Sequence, residues 1–230
     1  MDEIALVLLC QRPALGFGKQ RLAASIGIER AHQIGQALLA CALEDAKNWN
    51  NLVVIAPASE EDHDWATTLL PSSMTVWIQP QAIGNLGQRL SELDCKLRNK
   101  GLKQLVYIGS DAPLLTKNDY TDCRTALQHH DAVLVPATNG GIALMANCTP
   151  WPVLTDLPWS TDQLSKALID CCRRAGQSIA IMEQRSDIDK LEDCLKLITQ
   201  LQHDVRSARR QLRALVCAIA YTLKNRHARF

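Results

Sequence analysis

Seven short apolar runs recur along the chain, at 4–10, 52–56, 74–78, 105–108, 132–135, 142–145 and 179–182. Each has the length of a strand. Between most of them lie stretches of helical period, at 29–47, 86–99, 117–129 and 161–175. Strands alternating with helices over one domain length predict an α/β fold, a mostly parallel sheet covered on both faces. The runs 132–135 and 142–145 break that rhythm. Asn139-Gly140-Gly141 joins them and leaves no room for a crossover helix, so one strand there is expected to be antiparallel and the sheet mixed. No internal repeat and no low-complexity linker interrupts the pattern.

The last element differs from the rest. Leu191, Leu195, Ile198, Val205, Ala208, Leu212, Leu215 and Ile219 form a near-heptad series, and neither Pro nor Gly occurs from Ile188 onward. One long helix, or two with a kink at 202–204, is expected. Such a stripe packs on its own domain or on a second copy, giving a homodimer. The basic flank and the apolar run 214–223 also permit contact with a membrane surface.

Composition narrows the class. The chain has 230 residues, 47% of them hydrophobic, enough for one sizeable core. We divide it into a main domain, 1–200, and a basic helical extension, 201–230. Aromatics are only 4%, so the core is aliphatic. Nine cysteines show no zinc spacing and no Cys-x-x-Cys pair, and an odd number of unpatterned thiols suits a reducing compartment. The net charge of +1 hides an asymmetry: residues 201–230 hold seven Lys and Arg against one acid, leaving 18 basic and 23 acidic residues before them. No broad nucleic-acid-binding face is visible. Residues 1–3 lead straight into the first strand without a basic n-region, and no apolar run approaches the ~20 residues that span a bilayer. A cytoplasmic protein is expected.

Candidate chemistry clusters in the loops that follow strands. After the run 105–108, Gly109 ends the strand and Asp111 follows, with Pro113 behind it. In an open α/β sheet, ligands bind outside the carboxyl ends of the strands. Asp111 there is either a hard-oxygen ligand for a divalent metal or the cap of the next helix. The first strand leads into Gln11-Arg12-Pro13-Ala14-Leu15-Gly16-Phe17-Gly18-Lys19-Gln20-Arg21-Leu22. Two glycines and three cations at the start of a helix tilt this loop toward phosphate binding, although it is no Walker A loop. A second loop, 79–89, again carries glycines and Arg89. Later, Leu157-Pro158-Trp159-Ser160-Thr161 precedes a helix, with Ser160 or Thr161 as its N-cap and Trp159 as a core residue. In 185–189, Asp187 and Asp189 either help bind a metal or stabilise a helix N-terminus. None of the six histidines neighbours a candidate nucleophile in sequence.

In order, these segments resemble the bacterial group called selenodomain-associated transferase 1, the arsenosugar-biosynthesis-type glycosyltransferases. The resemblance runs from about Ile4 to Leu195. It rests on Arg12-Pro13, Gly16, Lys19-x-Arg21-Leu22, Gly84-x-Leu86-Gly87-x-Arg89, Gly109-Ser110-Asp111-Ala112-Pro113, Gly140-Gly141, Pro158-Trp159-Ser160-Thr161 and Asp187-Ile188-Asp189 with Glu192-Asp193. It implies the GT-A fold of nucleotide-diphospho-sugar transferases, a Rossmann-like three-layer sandwich with a mixed, mostly parallel sheet. It further implies that Arg12, Gly16, Lys19, Arg21, Gly87 and Arg89 hold the nucleotide, and that Asn139, Gly140, Gly141 and Trp159 face the sugar and acceptor. Asp111 would be the main ligand of Mg²⁺ or Mn²⁺, with Asp187 or Asp189 as the second, and Asp111 and Lys19 would carry the chemistry.

The chain departs from that family at Gln20, where Thr is usual, at Asn85 and Asn139, where Asp is usual, and at Ile142-Ala143, where two aromatics are usual. Three functions follow in order. The first is a metal-dependent glycosyltransferase using a nucleotide-diphosphate sugar and a small acceptor. The second is a nucleotidyltransferase joining an NTP to a phosphorylated small molecule. The third is a degenerate transferase domain that acts through its C-terminal helix.

Overall fold

The computed structural model describes residues 4–227, with side chains through Asn225. Residues 1–3, Arg229 and the Arg226 side chain, which belong to the N-terminal lead and the basic tail read above, lie outside that description. The apolar runs become β1 (Ile4–Cys10), β2 (Val53–Pro57), β3 (Val76–Ile78), β4 (Gln104–Ile108), β5 (Ala132–Pro136), β6 (Ile142–Asn147) and β7 (Ile179–Ile181). They form one sheet in the order β3-β2-β1-β4-β6-β5-β7. β6 runs antiparallel to both of its neighbours, and the other pairs are parallel. This is the mixed, mostly parallel sheet that the short 139–141 turn required.

The helices are α1 (Gln20–Ile26), α2 (Ile28–Lys47), α3 (His63–Thr67), α4 (Leu86–Asn99), α5 (Lys117–Ala126), α6 (Leu164–Arg174), α7 (Leu191–Gln200) and α8 (Ser207–His227). On α4, Leu90, Leu93 and Leu97 recur every three or four residues. With Leu168 and Cys172 of α6 they cover one face of the sheet. Leu39, Ala42 and Ala46 of α2, with Tyr120 and Cys123 of α5, cover the other. Each fully buried aliphatic side chain contributes about 1.5–3 kcal/mol. α2 is buried twice over: Ala31, Ile34, Leu38 and Cys41 face away from the sheet and are sealed by α1, α7 and α8.

The C-terminal stripe differs from its expected form. There are two helices, separated by a turn at 201–206, and the turn resets the helical phase. Val205 is 87% exposed and Leu195 is exposed as well, while the covered positions are Cys194, Leu197, Leu201, Ala208, Leu212, Val216 and Ile219. The largest fully buried side chain is a cation, Arg209. Its guanidinium donates to Cys41 O (2.5 Å), Pro113 O (3.1 Å), Glu44 Oε2 (3.1 Å) and Asp45 Oδ2 (2.6 Å). Beside it Arg206 pairs with Asp204 and Asp45 and donates to Leu115 O at 2.8 Å. Glu44 also caps the start of α8, accepting from Ala208 N at 3.0 Å. Two of the seven tail cations therefore pair with Glu44 and Asp45 on α2, and both arginines hold the segment just after Asp111. α6 also begins later than expected. Its N-cap is Gln163, not Ser160 or Thr161, because Ser160 adopts φ 65 and turns the chain before a helix can start.

Candidate active site

The loops after β1 and β4 meet. Lys19 lies at the cap of α1 in the left-handed region, φ 48, a conformation costing of order 1–3 kcal/mol that surrounding contacts must hold in place. Its ammonium forms an ion pair with Asp111 Oδ1 at 2.8 Å and donates to Ile188 O at 2.5 Å. Ile188 N donates in turn to Asp111 O at 2.9 Å. The segment 187–189 is thus laced between the first loop and Asp111. On one side of it, Asn139 Nδ2 donates to Asp187 Oδ2 at 2.8 Å. On the other, Arg21 pairs with Asp189 Oδ2 at 2.5 Å.

Two cavities open at this point, of about 530 and 540 Å³. Arg12, Lys19, Arg89 and Trp159 line the first; Arg21, Asn139 and Gly141 line the second. Asp111, Asp187 and Asp189 line both. Three expected residues line neither: Gly16, Gly87 and Gly140. Gly16 sits in an exposed turn. Gly87 is a packing glycine, since a Cβ there would come within 2.2 Å of Leu154 O. Gly140 has φ 86, and a Cβ would meet the backbone of Asp162 at 1.9 Å. Arg12 is mostly exposed and reaches only Asp62, at 3.9 Å. Trp159 fits both of its readings: its indole donates to Leu154 O at 2.8 Å and packs on the α4–α6 core, yet it also walls the first cavity.

Electrostatics mark Asp187. Its Oδ1 is buried with no hydrogen-bond partner. Burial pushes its carboxyl above the usual range and Asp111 adds to the shift, while the Asn139 bond and Lys19 oppose it. Asp111 Oδ1 accepts from both Lys19 and Ser110, leaving Oδ2 open. Two open carboxylate oxygens fit Mg²⁺ or Mn²⁺ of the kind held by one or two carboxylates, with phosphate oxygens and water completing the shell. Among the described residues no three His, Cys, Asp or Glu side chains form an all-protein cage, and Asp189 is engaged by Arg21. Burial pushes the thiol of Cys10, on the cavity wall, up to about 12. Among the described residues no helix is long and apolar enough to cross a membrane.

Two of the departures from the resembled family acquire a physical meaning. Asn139 donates to Asp187, which an Asp could not do. Asn85 forms a capping box with Gln88 and donates to Thr155 O at 3.1 Å.

Residues 38–161, more than half of the chain, match the model of a family described as an uncharacterized protein conserved in bacteria, DUF2064. The chain belongs to the DUF2064 family. A search of curated proteins finds no match. Among solved structures, this DUF2064 protein is similar to one named as a candidate nucleotide-diphospho-sugar transferase from Desulfovibrio desulfuricans G20. The TM-score is 0.82 at 21% identity, covering 95% of this chain and 99% of that one. It is more distantly similar to the 4-diphosphocytidyl-2C-methyl-D-erythritol synthase of Anaerococcus prevotii DSM 20548 (TM-score 0.55, 9% identity, 88% and 99% covered). A cytidylyltransferase from Leptospira borgpetersenii serovar Hardjo-bovis is similar at a TM-score of 0.52 (13% identity, 99% and 96% covered). At such identities the likeness establishes the fold of this DUF2064 chain: the α/β sandwich of nucleotide-diphospho-sugar transferases.

Proposed function

We propose that this protein is a metal-dependent glycosyltransferase moving a sugar from a nucleotide-diphosphate donor to a small acceptor, as its resemblance to the selenodomain-associated transferases suggests. The observation that carries this reading is the Lys19–Asp111 ion pair, set where two cavities meet at the carboxyl edge of the sheet. The donor occupies the cavity lined by Arg12, Lys19 and Arg89, and the acceptor occupies the one lined by Asn139 and Gly141. Transfer breaks the bond from the sugar's anomeric carbon to the diphosphate oxygen and forms one to an acceptor oxygen, so negative charge grows on the departing diphosphate. Lys19 is positioned to offset that charge. Asp111 and Asp187 would hold Mg²⁺ or Mn²⁺, which supplies Lewis-acid screening of the same oxygens when bound.

Nucleotidyl transfer is the second reading, supported by the cytidylyltransferase fold likeness. It ranks lower because Asp111, Asp162, Asp187, Asp189 and Asp193 line the second cavity against only Arg21 and Lys190. Such a wall repels a phosphorylated acceptor. A docking role for α8 has less support, since α2 already covers its apolar face. Isothermal titration with a panel of UDP-, GDP-, CDP- and ADP-sugars in Mn²⁺ tests the first reading, with metal-dependent binding of at least one donor as the expected result. Folded protein that binds none would sink it. Pyrophosphate release from an NTP would move the assignment to nucleotidyl transfer.

A further inference from the structure

The cations around the first cavity are not equally available. Lys19 is paired with Asp111 and Arg21 with Asp189, while Arg12 is exposed and leans toward Asp62. Arg89 is different. It is partly buried in the first turn of α4, where the helix dipole disfavours a cation. Its only partner among the described residues is a neutral amide: Gln81 Oε1 accepts from Arg89 Nε (3.0 Å) and Nη2. Gln81 is itself buried and fixed twice at the end of β2, its Nε2 donating to Ala56 O at 2.6 Å and its backbone N to Pro57 O at 2.9 Å. The guanidinium is therefore held on one edge, by an oxygen that orients it without cancelling its charge. The other edge, Nη1 and the second N–H of Nη2, takes no acceptor among the described residues. Burial alone pulls the group's pKa down, but a guanidinium stays charged at neutral pH. A desolvated, uncompensated charge is costly unless a partner arrives.

We infer that Gln81 and Arg89 form the anion receptor of the cleft, Arg89 gripping diphosphate oxygens through Nη1 and Nη2, with Gln81 as its positioning residue. The choice of a diphosphate rests on the donor reading above; the receptor itself rests on the geometry of the pair. Gln81→Glu keeps the shape and both contacts to Arg89 but supplies the missing countercharge. Arg89→Gln removes the cation. Titration of each variant and of the unmodified protein with inorganic pyrophosphate, alongside thermal unfolding, tests the assignment. We expect pyrophosphate to bind the unmodified protein and to bind both variants at least about tenfold more weakly, the size of one lost charge-assisted contact. Gln81→Glu gains an ion pair but loses the donor to Ala56 O, so its unfolding temperature should shift far less than its pyrophosphate affinity; a merely structural Gln81 would not separate binding from stability in this way. Absence of pyrophosphate binding to the unmodified protein, or unchanged binding in either variant, overturns the inference. Nucleotide sugars run in parallel separate its failure from that of the donor reading. Pyrophosphate binding that is lost in Gln81→Glu, with no nucleotide sugar bound, keeps the receptor and removes the donor. A nucleotide sugar bound equally by the unmodified protein and Gln81→Glu does the reverse.

Discussion

At the scale of single residues, the site is a balance of few charges. Asn139 gives Asp187 a side-chain hydrogen bond while withholding one more carboxylate from an already acidic cleft. Asn139→Asp should therefore tighten Mn²⁺ binding and lower stability, because the half-buried Asp187 would then face a second acid in place of its donor. Manganese titration followed by electron paramagnetic resonance, together with urea unfolding, reads both effects; weaker metal binding would show that Asp187 is not a ligand. Gly87 makes a purely steric prediction. Gly87→Ala drives a methyl into Leu154 O and should cost about 1–3 kcal/mol in chemical denaturation. Gly87, Gly140 and Gly16 were singled out by sequence as ligand contacts, but none lines a cavity. A glycine signals that backbone or bulk is close, and the chain alone does not say whether that neighbour is a ligand or another loop.

At the scale of elements, α8 is tied to α2 by a buried ion cluster. Removing one partner from such a cluster strands a charge, so Arg209→Met should destabilise by about 3–5 kcal/mol. Combined with Asp45→Asn the cost should be less than additive, because the stranded carboxylate is gone. A double-mutant cycle in urea measures this; full additivity would mean that the two side chains do not interact. The strands were legible because apolar runs bounded by turns have few other uses, and one strand of the β5–β6 pair was expected to be antiparallel because three residues cannot carry a crossover; that strand is β6. Two helices with a break near 202–204 were among the expectations, but the buried stripe was misplaced at Leu195 and Val205. Arginines at 206 and 209 look like a solvated flank in one dimension, and only the acids at 44 and 45, more than 150 residues away, turn them into interior groups. Gln81 was passed over for a similar reason: a neutral loop residue advertises no chemistry until the cation it orients is seen beside it.

At the scale of the whole molecule, the convergence of Lys19 and Asp111 followed from a topological rule, that loops after adjacent parallel strands share one edge of the sheet. β1 and β4 are such neighbours. The size and sign of the two cavities did not follow, because they depend on loops from several distant parts of the chain. α8 closes the layer over α2, so deleting residues 207–230 should not yield a compact remainder. Ile34, Leu38 and Cys41 would lose part of their cover, and Glu44 and Asp45 would lose Arg209. Circular dichroism and gel filtration of the truncated chain should report aggregation or a loosened fold; a monomer with native cooperativity would contradict this.

Ile188 carries a consequence for biosynthesis. Its peptide group is the stitch between the opening loop and the mid-chain acid, spanning 169 positions from Lys19. Contacts so remote in sequence form late. During translation, then, a growing polypeptide has no assembled cleft until Ile188 has been made and has reached the Lys19 loop.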